Sequence, residues 1–210
     1  MYRVVEIFRS IEGEGKRSGQ SATFIRLNGC NLHCSYCDSV YANGGEFEEM
    51  SLKGIVHKVE ELGDERITLT GGEPLIEPKA WALIEHLATH GYEVNVETNG
   101  SIPLKQVTPR GVFYTMDLKC PSSRMHNEMC LENLALLSES DVLKLVVGNV
   151  GDMRWAQRTL EKHPTKAEVY ASPVYGQMDL PKMAEFAIQA GWRVQVQLHK
   201  VIWPADMRGV

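Results

Sequence analysis

Three cysteines lie within one short stretch of the chain, Cys30-Asn31-Leu32-His33-Cys34-Ser35-Tyr36-Cys37, in the spacing C-x3-C-x2-C. Thiolates this close in sequence can converge from one loop onto one inorganic centre. A set of four would close a tetrahedral zinc site or an electron-transfer cluster. Three thiolates on a four-iron cluster instead leave one iron open to bind a substrate, and this open cluster is the first hypothesis. Two alternatives stay open here: plain structural thiols, and a zinc site with a distant fourth ligand. The candidates for that ligand are Cys120, Cys130 and His33.

Composition limits the classes of protein to which the chain can belong. Its 210 residues with 43% hydrophobic content can form one domain over residues 1–210 with a sizeable core. The net charge of −5 disfavours nucleic acid as a main partner. No apolar run is long enough to span a membrane, and Glu6 stands where a signal peptide needs an apolar core. We therefore expect a cytoplasmic protein without a nucleic-acid or membrane partner, whose five cysteines, an odd number, serve thiolate chemistry.

Strands and helices alternate along the chain. The residue types predict strands over 3–8, 22–27, 66–70, 92–96, 111–116, 141–147, 167–171 and 192–198. They predict helices over 52–62, 79–90, 127–138 and 180–190, and a further helix that is capped by Asp152 and runs to Lys162. This order favours an α/β fold with a parallel sheet and right-handed crossovers. Polar, glycine-bearing segments follow the strands, which is where ligands bind in parallel sheets.

Two further features could take part in a site. The segment Ser10–Gly15 carries two glycines and two carboxylates and can bring bare backbone close to a ligand, but an ordinary surface turn explains it equally well. Arg26 interrupts an apolar strand, and a buried arginine needs an anionic partner. From the residues alone, an internal ion pair is favoured for Arg26 over a carboxylate ligand.

The cysteine stretch has Tyr36 just before its third cysteine and is followed further along the chain by Gly71-Gly72-Glu73-Pro74. These two motifs in this order resemble those of the radical S-adenosylmethionine (SAM) superfamily. In that superfamily three cysteines hold a four-iron–four-sulfur cluster, the open iron is chelated by SAM, and a glycine-rich element binds SAM. The resemblance implies a partial TIM-type β/α barrel with about six parallel strands around the radical SAM core.

A narrower resemblance covers nearly the whole chain and points to the 7-carboxy-7-deazaguanine synthases. The segments that carry it are Glu6–Phe8, Ile11–Gly15, Gly29–Leu32, Cys37–Ser39, Glu97–Gly100 and Gln197–Lys200, together with Gly19, Phe24 and Arg26. That family contracts the ring of 6-carboxy-5,6,7,8-tetrahydropterin to 7-carboxy-7-deazaguanine, with loss of ammonia, on the route to queuosine and other 7-deazapurines. The resemblance implies a carbon–nitrogen lyase that uses a [4Fe-4S] cluster, SAM and Mg²⁺. It also implies a flavodoxin- or ferredoxin-like electron donor and a homodimer.

The resemblance assigns roles to individual residues, with the radical carried by SAM and by no side chain. Cys30, Cys34 and Cys37 would hold the cluster, and Ser39 would contact Mg²⁺. Arg26 would pair with the substrate carboxylate, which a planar guanidinium can bind bidentately. The residues implied for substrate binding are Ile11, Glu12, Gly13, Arg26, Thr70, Glu97 and His199. Those implied for SAM binding are Gly72, Glu73, Asp117, Leu118, Lys119, Ser172, Pro173, Val174 and Tyr175.

The chain departs from that family at two points, and two rival functions share some of its features. Many members have Ser-Pro-Lys where this chain has Asp117–Pro121, and residues 201–210 run past the point where some members use a C-terminal carboxylate. One rival is a glycyl-radical activating enzyme, which shares C-x3-C-x2-C, but Arg26 and Ser39 suit a small anionic ligand. The other is a non-enzymatic zinc or iron–sulfur module, against which stands the segment Gly71–Pro74.

Overall fold

Nine strands form one sheet in the computed structural model, which describes residues 1–210. The strands are β1 (Tyr2–Ile11), β2 (Ser21–Leu27), β3 (Glu48–Met50), β4 (Arg66–Gly71), β5 (Glu93–Thr98), β6 (Val112–Lys119), β7 (Val142–Val147), β8 (Glu168–Pro173) and β9 (Arg193–Val194). The helices are α1 (Leu52–Leu62), α2 (Ala80–Thr89), α3 (Asn133–Leu136), α4 (Val150–Lys162), α5 (Leu180–Ala190) and α6 (Leu198–Ile202). None of these helices has the length and apolar character needed to cross a lipid bilayer.

The sheet is open and mostly parallel. Its spatial order is β3-β1-β2-β4-β5-β6-β7-β8-β9, and all neighbouring pairs from β2 to β9 are parallel. β1 pairs antiparallel with both β2 and β3, and the free edges β3 and β9 do not meet. Six parallel strands with β9, of two residues, as a seventh confirm the expected partial barrel.

The two faces of the parallel strands differ in polarity. Successive side chains alternate between faces, so β4 sends Ile67 and Leu69 to the hydrophobic core and Thr68 and Thr70 to the opposite side. The core side is covered by the long helices, which contribute buried residues such as Ile55, Leu83, Met153 and Met183. Parallel strands covered on both faces are apolar throughout. Here the second face is polar and is available for a site.

The ends of two helices follow the local signals in the sequence. Ser51 caps α1 by accepting the N–H of Gly54 at 3.0 Å, and Gly63 ends the helix with a φ of 69°. Asp179 caps α5 by accepting the N–H of Lys182 at 3.1 Å, and Gly191 ends it in the same left-handed conformation. The predicted bounds 52–62 and 180–190 are confirmed.

The predicted helix over 127–138 was wrong, because only α3 forms there. The buried side chain of Asn133 accepts the N–H of Leu104 at 2.9 Å and donates to the carbonyls of Gly100 and Ile102. This residue therefore fixes the loop after β5. Leu134 and Leu137 reach the core from a mostly irregular segment, so their spacing gave a false helical signal.

The sequence predicted Asp152 as the N-cap of α4, and this prediction was wrong because the N-cap is Asn149. The Asn149 side chain accepts the N–H of Asp152 at 3.2 Å. Asp152 is buried and accepts the backbone N–H groups of Ser122 at 3.0 Å and Gly148 at 2.8 Å. Its carboxylate therefore joins the loops that follow β6 and β7.

The predicted strand over 192–198 was wrong beyond β9. Gln195 still donates its backbone N–H to Ala171 O in β8. Its side chain accepts the N–H of Gly15 at 2.8 Å and donates to Glu14 at 3.1 Å, and the chain leaves the sheet after this residue. The chain then turns into α6, which begins at Leu198. These side-chain contacts of Gln195 join residues that are about 180 positions apart in the sequence, so local patterns could not reveal them.

The loop after β1 lies inside the open sheet. Because β1 is antiparallel, Ile11 pairs with Ser21 at the start of β2, and residues 12–19 enter the molecule from that end. Glu12, Gly13 and Gly15 are buried. The interpretation of this segment as a surface turn is therefore wrong, and residues 12–14 form the floor of the cavity described next.

Candidate active site

The polar face of the sheet encloses a cavity of ≈ 930 Å³. Its size lies near the upper end of the range for small-molecule sites, roughly 300–1,000 Å³. All but two of the residues to which the family resemblance assigned a role line it. The lining residues are Ile11, Glu12, Gly13, Arg26, Cys30, Cys34, Cys37, Ser39, Thr70, Gly72, Glu97, Asp117, Lys119, Ser172, Pro173, Val174, Tyr175 and His199.

Leu118 is one of the two residues that do not line the cavity. Its side chain is buried in the hydrophobic core, whereas those of Asp117 and Lys119 face the cavity. Strand alternation in β6 requires this difference. The prediction that Leu118 binds SAM is therefore wrong for its side chain.

Glu73 is the other residue outside the cavity, and its carboxylate is fully engaged within the protein. It accepts the N–H groups of Leu75 at 3.0 Å and Asn99 at 2.6 Å, and the Thr98 hydroxyl at 3.0 Å. The side chain therefore links the ends of β4 and β5 instead of facing a ligand. Burial raises the pKa of Glu73 to about 7, although the N–H groups of Asn99 and Leu75 favour its charged form.

Glu73 should give the protein a specific pH dependence of stability. Between its ordinary pKa of 4.5 and about 7, this carboxyl binds more protons in the folded than in the unfolded chain. We expect the free energy of unfolding to fall as pH rises through this window, by about 2–3 kcal/mol from this group. Glu73→Gln should lack that slope, even though its NH₂ group must face a backbone N–H and lowers stability overall. Urea unfolding across the window measures the slope, and equal slopes in both proteins would contradict the expectation.

The cysteine loop lies between β2 and β3 and is anchored by its own residues. Ser35 donates from its backbone N–H to Ser123 O at 3.1 Å and from its hydroxyl to Ser122 O at 2.6 Å. The Tyr36 hydroxyl donates to Val146 O at 3.3 Å. These contacts hold the three thiols on one wall of the cavity.

Gly71 lets the end of β4 pass close to the backbone of Leu27 in β2, and Gly72 lets it pass directly against the cysteine loop. A Cβ on Gly72 would lie 2.7 Å from the Cys30 Cβ and would overlap the carbonyl of Gly29. The N–H of Glu73 donates to that same carbonyl at 2.8 Å. Gly72 is therefore required by packing against the cysteine loop, in addition to any contact with a ligand, and Gly71 is required by packing against β2.

The donor set of the cysteine loop suits an iron–sulfur cluster. No three His, Cys, Asp or Glu side chains converge on the geometry of a single metal ion. The thiolates of a cluster are spaced more widely than ligands of one ion, because the inorganic core lies between them. Burial raises the pKa of Cys34 and of Cys37, and the nearby Lys119 ammonium acts against this effect on both thiols. The wall therefore offers three thiols, and the Lys119 charge offsets part of the effect of burial on Cys34 and Cys37.

Two carboxylates and two ammonium groups form a buried network in the cavity wall. Lys144 Nζ lies 3.0 Å from Glu14 Oε2 and 3.1 Å from Asp117 Oδ1, and Lys119 Nζ lies 2.6 Å from Asp117 Oδ2. The Ser172 hydroxyl donates to Glu14 at 2.7 Å. Burial alone would raise the pKa of Asp117, but Lys119 and Lys144 outweigh it and lower that pKa. No role was predicted for Lys144 from the sequence, and the four charges cancel only when its ammonium group is included.

Glu12 lies on the cavity floor with one oxygen held and one free. Its Oε1 accepts from Arg17 Nη2 at 2.6 Å and from the Thr68 hydroxyl, whereas Oε2 has no partner within the protein. Arg17 is buried and also donates to Ile67 O at 3.1 Å and Thr68 Oγ1 at 2.8 Å. Burial, and next the charge of Glu97, raise the pKa of Glu12. Sequence reasoning missed Arg17, the cation that orients this carboxylate.

Arg26 keeps part of its guanidinium available to a ligand. Its Nε donates to Glu6 Oε1 at 2.7 Å, and the Tyr41 hydroxyl donates to the same oxygen at 3.0 Å. The two terminal nitrogens of Arg26 make no hydrogen bond within the protein, and the residue lines the cavity. The internal ion pair expected from the residues is therefore present, and the remaining donors can still bind a carboxylate.

Helix α6 closes one side of the cavity. The N–H of Leu198 donates to Gly13 O at 3.1 Å, and the His199 ring occupies the space that a Cβ at residue 13 would need. Burial lowers the pKa of His199, which favours the neutral imidazole. Lys200 Nζ lies 2.6 Å from Asp38 Oδ2 and so ties α6 to the cysteine loop. Neither partner of this ion pair was predicted as a site residue.

Residues 205–210 also line the cavity, next to Arg26. The Arg208 guanidinium lies 3.9 Å from the centre of the Tyr41 ring, and that of Arg26 lies 5.7 Å from the same ring. Tyr41 therefore lies close to two cations that line the cavity. No role was predicted for either Tyr41 or Arg208.

Comparison with known proteins identifies the family of the chain. Residues 24–141 match the family model of the Radical SAM superfamily. A 7-carboxy-7-deazaguanine synthase of Clostridium acetobutylicum is 37% identical over 219 residues, covering 100% of this chain and 99% of the relative. The chain belongs to the 7-carboxy-7-deazaguanine synthase family of radical SAM enzymes. Its cofactors are therefore a [4Fe-4S] cluster and SAM.

Further relatives agree with this membership. A 7-carboxy-7-deazaguanine synthase of Methanospirillum hungatei is 38% identical, and the alignment covers 95% of this chain and 85% of that relative. The crystal structure of QueE from Escherichia coli superposes with a TM-score of 0.80 at 23% identity, over 93% of each chain. The crystal structure of SuiB of Streptococcus suis bound to S-adenosylmethionine gives a TM-score of 0.56 at 12% identity, and the superposition covers 80% of this chain and 44% of the SuiB chain. The two solved structures share the fold.

Proposed function

We propose that this enzyme converts 6-carboxy-5,6,7,8-tetrahydropterin to 7-carboxy-7-deazaguanine and ammonia, with Mg²⁺ as a further cofactor. The observation that carries the proposal is the free edge of the Arg26 guanidinium, which faces a cavity that also holds the three cysteines. A carboxylate on the substrate supplies the partner that this edge lacks. The atoms of the substrate equal those of product plus ammonia, so the reaction needs no net oxidant.

The residues of the cavity divide into groups that bind and groups that orient. Arg26 binds the substrate carboxylate, while the free Oε2 of Glu12 accepts a hydrogen bond from an N–H of the pterin. Thr70 donates to Glu97 at 2.9 Å, which orients that second carboxylate toward the same space. The His199 ring, packed on Gly13, helps to exclude water from that side. Positioning of this kind is the protein's contribution, since the cofactors carry the hard chemistry.

Cys30, Cys34 and Cys37 would hold the cluster. When bound, the cluster and SAM would supply one-electron chemistry at C6 of the pterin. Gly72, Asp117, Lys119 and residues 172–175 are proposed to hold SAM, because they lie around the cysteine loop in the same cavity. The buried ion pairs of Asp117 and Lys119 keep their side chains in fixed positions for that contact.

Arg26→Lys should weaken substrate binding. A lysine keeps the charge but cannot form two parallel hydrogen bonds, and a hydrogen bond to a charged group contributes about 1.5–3 kcal/mol. We expect KM for the pterin to rise about 10- to 100-fold with a smaller change in kcat. Arg9→Lys, in the neighbouring strand and paired with Asp64, is the matched control and should leave KM unchanged. Equal KM values for wild type and Arg26→Lys would reject the assignment.

Ser39 is proposed to contact Mg²⁺ through its hydroxyl, which lies in the cavity 3.2 Å from Asp38 Oδ1. A hydroxyl is a weak ligand, so substrate oxygens and waters must complete the coordination, as Mg²⁺ prefers. Ser39→Ala should shift the magnesium titration of activity to higher concentration and leave iron content unchanged. Ser35→Ala, in the same loop, is the control for the titration midpoint. An unchanged midpoint in Ser39→Ala would rule out this contact.

An anaerobic turnover assay tests the function as a whole. Reconstituted protein receives SAM, Mg²⁺, reductant and 6-carboxytetrahydropterin, and the products are followed by mass spectrometry. Formation of 7-carboxy-7-deazaguanine without stoichiometric loss of SAM is the expected result. Cleavage of SAM to 5′-deoxyadenosine without a new pterin product would overturn the substrate and favour the glycyl-radical activase instead.

Further features stay predictions that belong to the same proposal. The protein is proposed to be a cytoplasmic homodimer of a single domain, and to receive electrons from a flavodoxin- or ferredoxin-like protein. Sedimentation of the reconstituted enzyme tests the dimer. Replacing the chemical reductant by a reduced flavodoxin or ferredoxin in the turnover assay tests the donor.

A further inference from the structure

We propose that the side chain of Asn99 is a positioning residue for the cluster, which donates an N–H···S hydrogen bond to Cys30 and thereby raises the reduction potential. The proposal rests on the role of Cys30 as a cluster ligand, which belongs to the proposed function, but it does not depend on the pterin reaction. Nothing in the sequence motif assigned Asn99 a role.

The contact is specific to one sulfur. Asn99 Nδ2 lies 3.8 Å from Cys30 Sγ and 3.1 Å from Asn31 Oδ1. The backbone N–H of Leu32 also donates to Cys30 Sγ, at 3.5 Å. Asn99 is the only side chain that donates a hydrogen bond to any of the three cluster cysteines.

The hydrogen bonds of Asn99 fix which end of its amide faces the sulfur. Asn99 Oδ1 accepts the backbone N–H of Ser101 at 2.9 Å and the Ser101 hydroxyl at 2.6 Å. A backbone N–H can only donate, so a flipped amide would set two donors against each other. The NH₂ group must therefore point toward Cys30.

The backbone of Asn99 is held as firmly as its side chain. Its N–H donates to the buried Glu73 carboxylate at 2.6 Å, and the residue is itself buried. The neighbouring Thr98 hydroxyl bonds the same carboxylate at 3.0 Å. The donor to Cys30 is thus set at the end of β5 before any cofactor is loaded.

A fixed donor of this kind acts on the redox equilibrium of a cluster. Reduction adds negative charge that is shared by the coordinating thiolates, so an N–H donor stabilises the reduced form more than the oxidised form. Hydrogen bonds to cluster sulfurs are among the factors that set reduction potentials. Loss of the donor should therefore make the cluster harder to reduce.

The test is an anaerobic redox titration of the reconstituted holoprotein, followed by electron paramagnetic resonance in the absence of pterin. Asn99→Ala should lower the ratio of reduced to oxidised cluster about tenfold at a fixed potential, a shift of about 59 mV to more negative values. Ser101→Ala is the matched control. This substitution perturbs the same loop but keeps the Ser101 N–H that orients the Asn99 amide. The ratio of reduced to oxidised cluster should therefore change less than twofold. Equal shifts in the two variants, or no shift in Asn99→Ala, would overturn the proposal.

A second pair of variants covers the case in which Asn99→Ala loses its iron. Asn99→Asp keeps the acceptor toward Ser101 and the backbone bond to Glu73, and replaces the donor to Cys30 Sγ and Asn31 Oδ1 by a charged acceptor. Asn43→Asp controls for the added charge, because the Asn43 side chain accepts the Cys30 N–H at 3.1 Å without donating to Sγ. Asn99→Asp should give the more negative potential, and equal potentials would reject the hydrogen bond. Since no pterin is present, failure of the proposed reaction would leave this result valid.

Discussion

Replacement of any one of Cys30, Cys34 and Cys37 by alanine is expected to reduce turnover to an undetectable level and to abolish stable binding of the cluster. The three thiols share one wall of the cavity, and no other cysteine lines it. A cluster held by three protein ligands that loses one of them has two remaining bonds to protein. Because Cys34 and Cys37 are partly or fully exposed, their loss should leave the fold intact.

The measurement is iron and sulfide content after anaerobic reconstitution, with far-ultraviolet circular dichroism to confirm folding. Cys130→Ala is the matched control, since Cys130 is a free thiol outside the cavity and should keep full iron content. Full iron in Cys37→Ala would reject Cys37 as a ligand. Loss of metal in Cys130→Ala would instead revive the zinc site with a distant fourth ligand.

Lys144→Met is expected to cause the largest loss of stability among single substitutions in the cavity wall. It leaves Glu14 and Asp117 buried with only Lys119 to balance them. Removal of one partner from a buried ion network costs about 3–5 kcal/mol, because an uncompensated charge stays in a low-dielectric site. Urea unfolding of the reconstituted protein at neutral pH measures the loss.

Two further variants separate charge balance from simple loss of packing. Lys144→Met combined with Glu14→Gln restores a neutral network and should recover part of the lost free energy. Lys182→Met breaks an exposed ion pair with Asp179 and should change stability by no more than about 0.5 kcal/mol. If the double variant is less stable than Lys144→Met alone, the charge-balance explanation fails.

The parts of the fold that could be predicted are those set by neighbouring residues. Ser51, Gly63 and Gly191 act within one turn of a helix, and the bounds of α1 and α5 follow from them. The segment after Gln195 could not be predicted in this way, because that side chain bonds to Gly15 and Glu14 at the other end of the chain. Tertiary contacts there override the strand preference of residues 192–198.

The site shows the same division between motif and long-range contact. The cysteines, Arg26 and Ser39 could be found because the family motif is carried by the sequence itself. Lys144, Arg17 and Lys200 were not predicted as site residues, because each contributes to the site through an ion pair with a carboxylate that only the folded structure reveals. For Lys144 that partner, Glu14, is 130 positions away. Leu118 was a false assignment for a different reason, because a motif gives position along a strand but not the face.

The loop that forms the floor of the cavity has a consequence for the order in which the protein matures. Gly13 and Gly15 make their contacts with Leu198, His199 and Gln195, which the ribosome adds nearly two hundred residues later. Contacts between such distant segments close late in folding, since the intervening loop must first be ordered. A nascent chain can therefore assemble most of its parallel sheet and display all three cysteines while the pocket still lacks a side. Iron delivered during synthesis would reach thiols in an incomplete cavity. We therefore expect the cluster to be inserted after the finished chain is released.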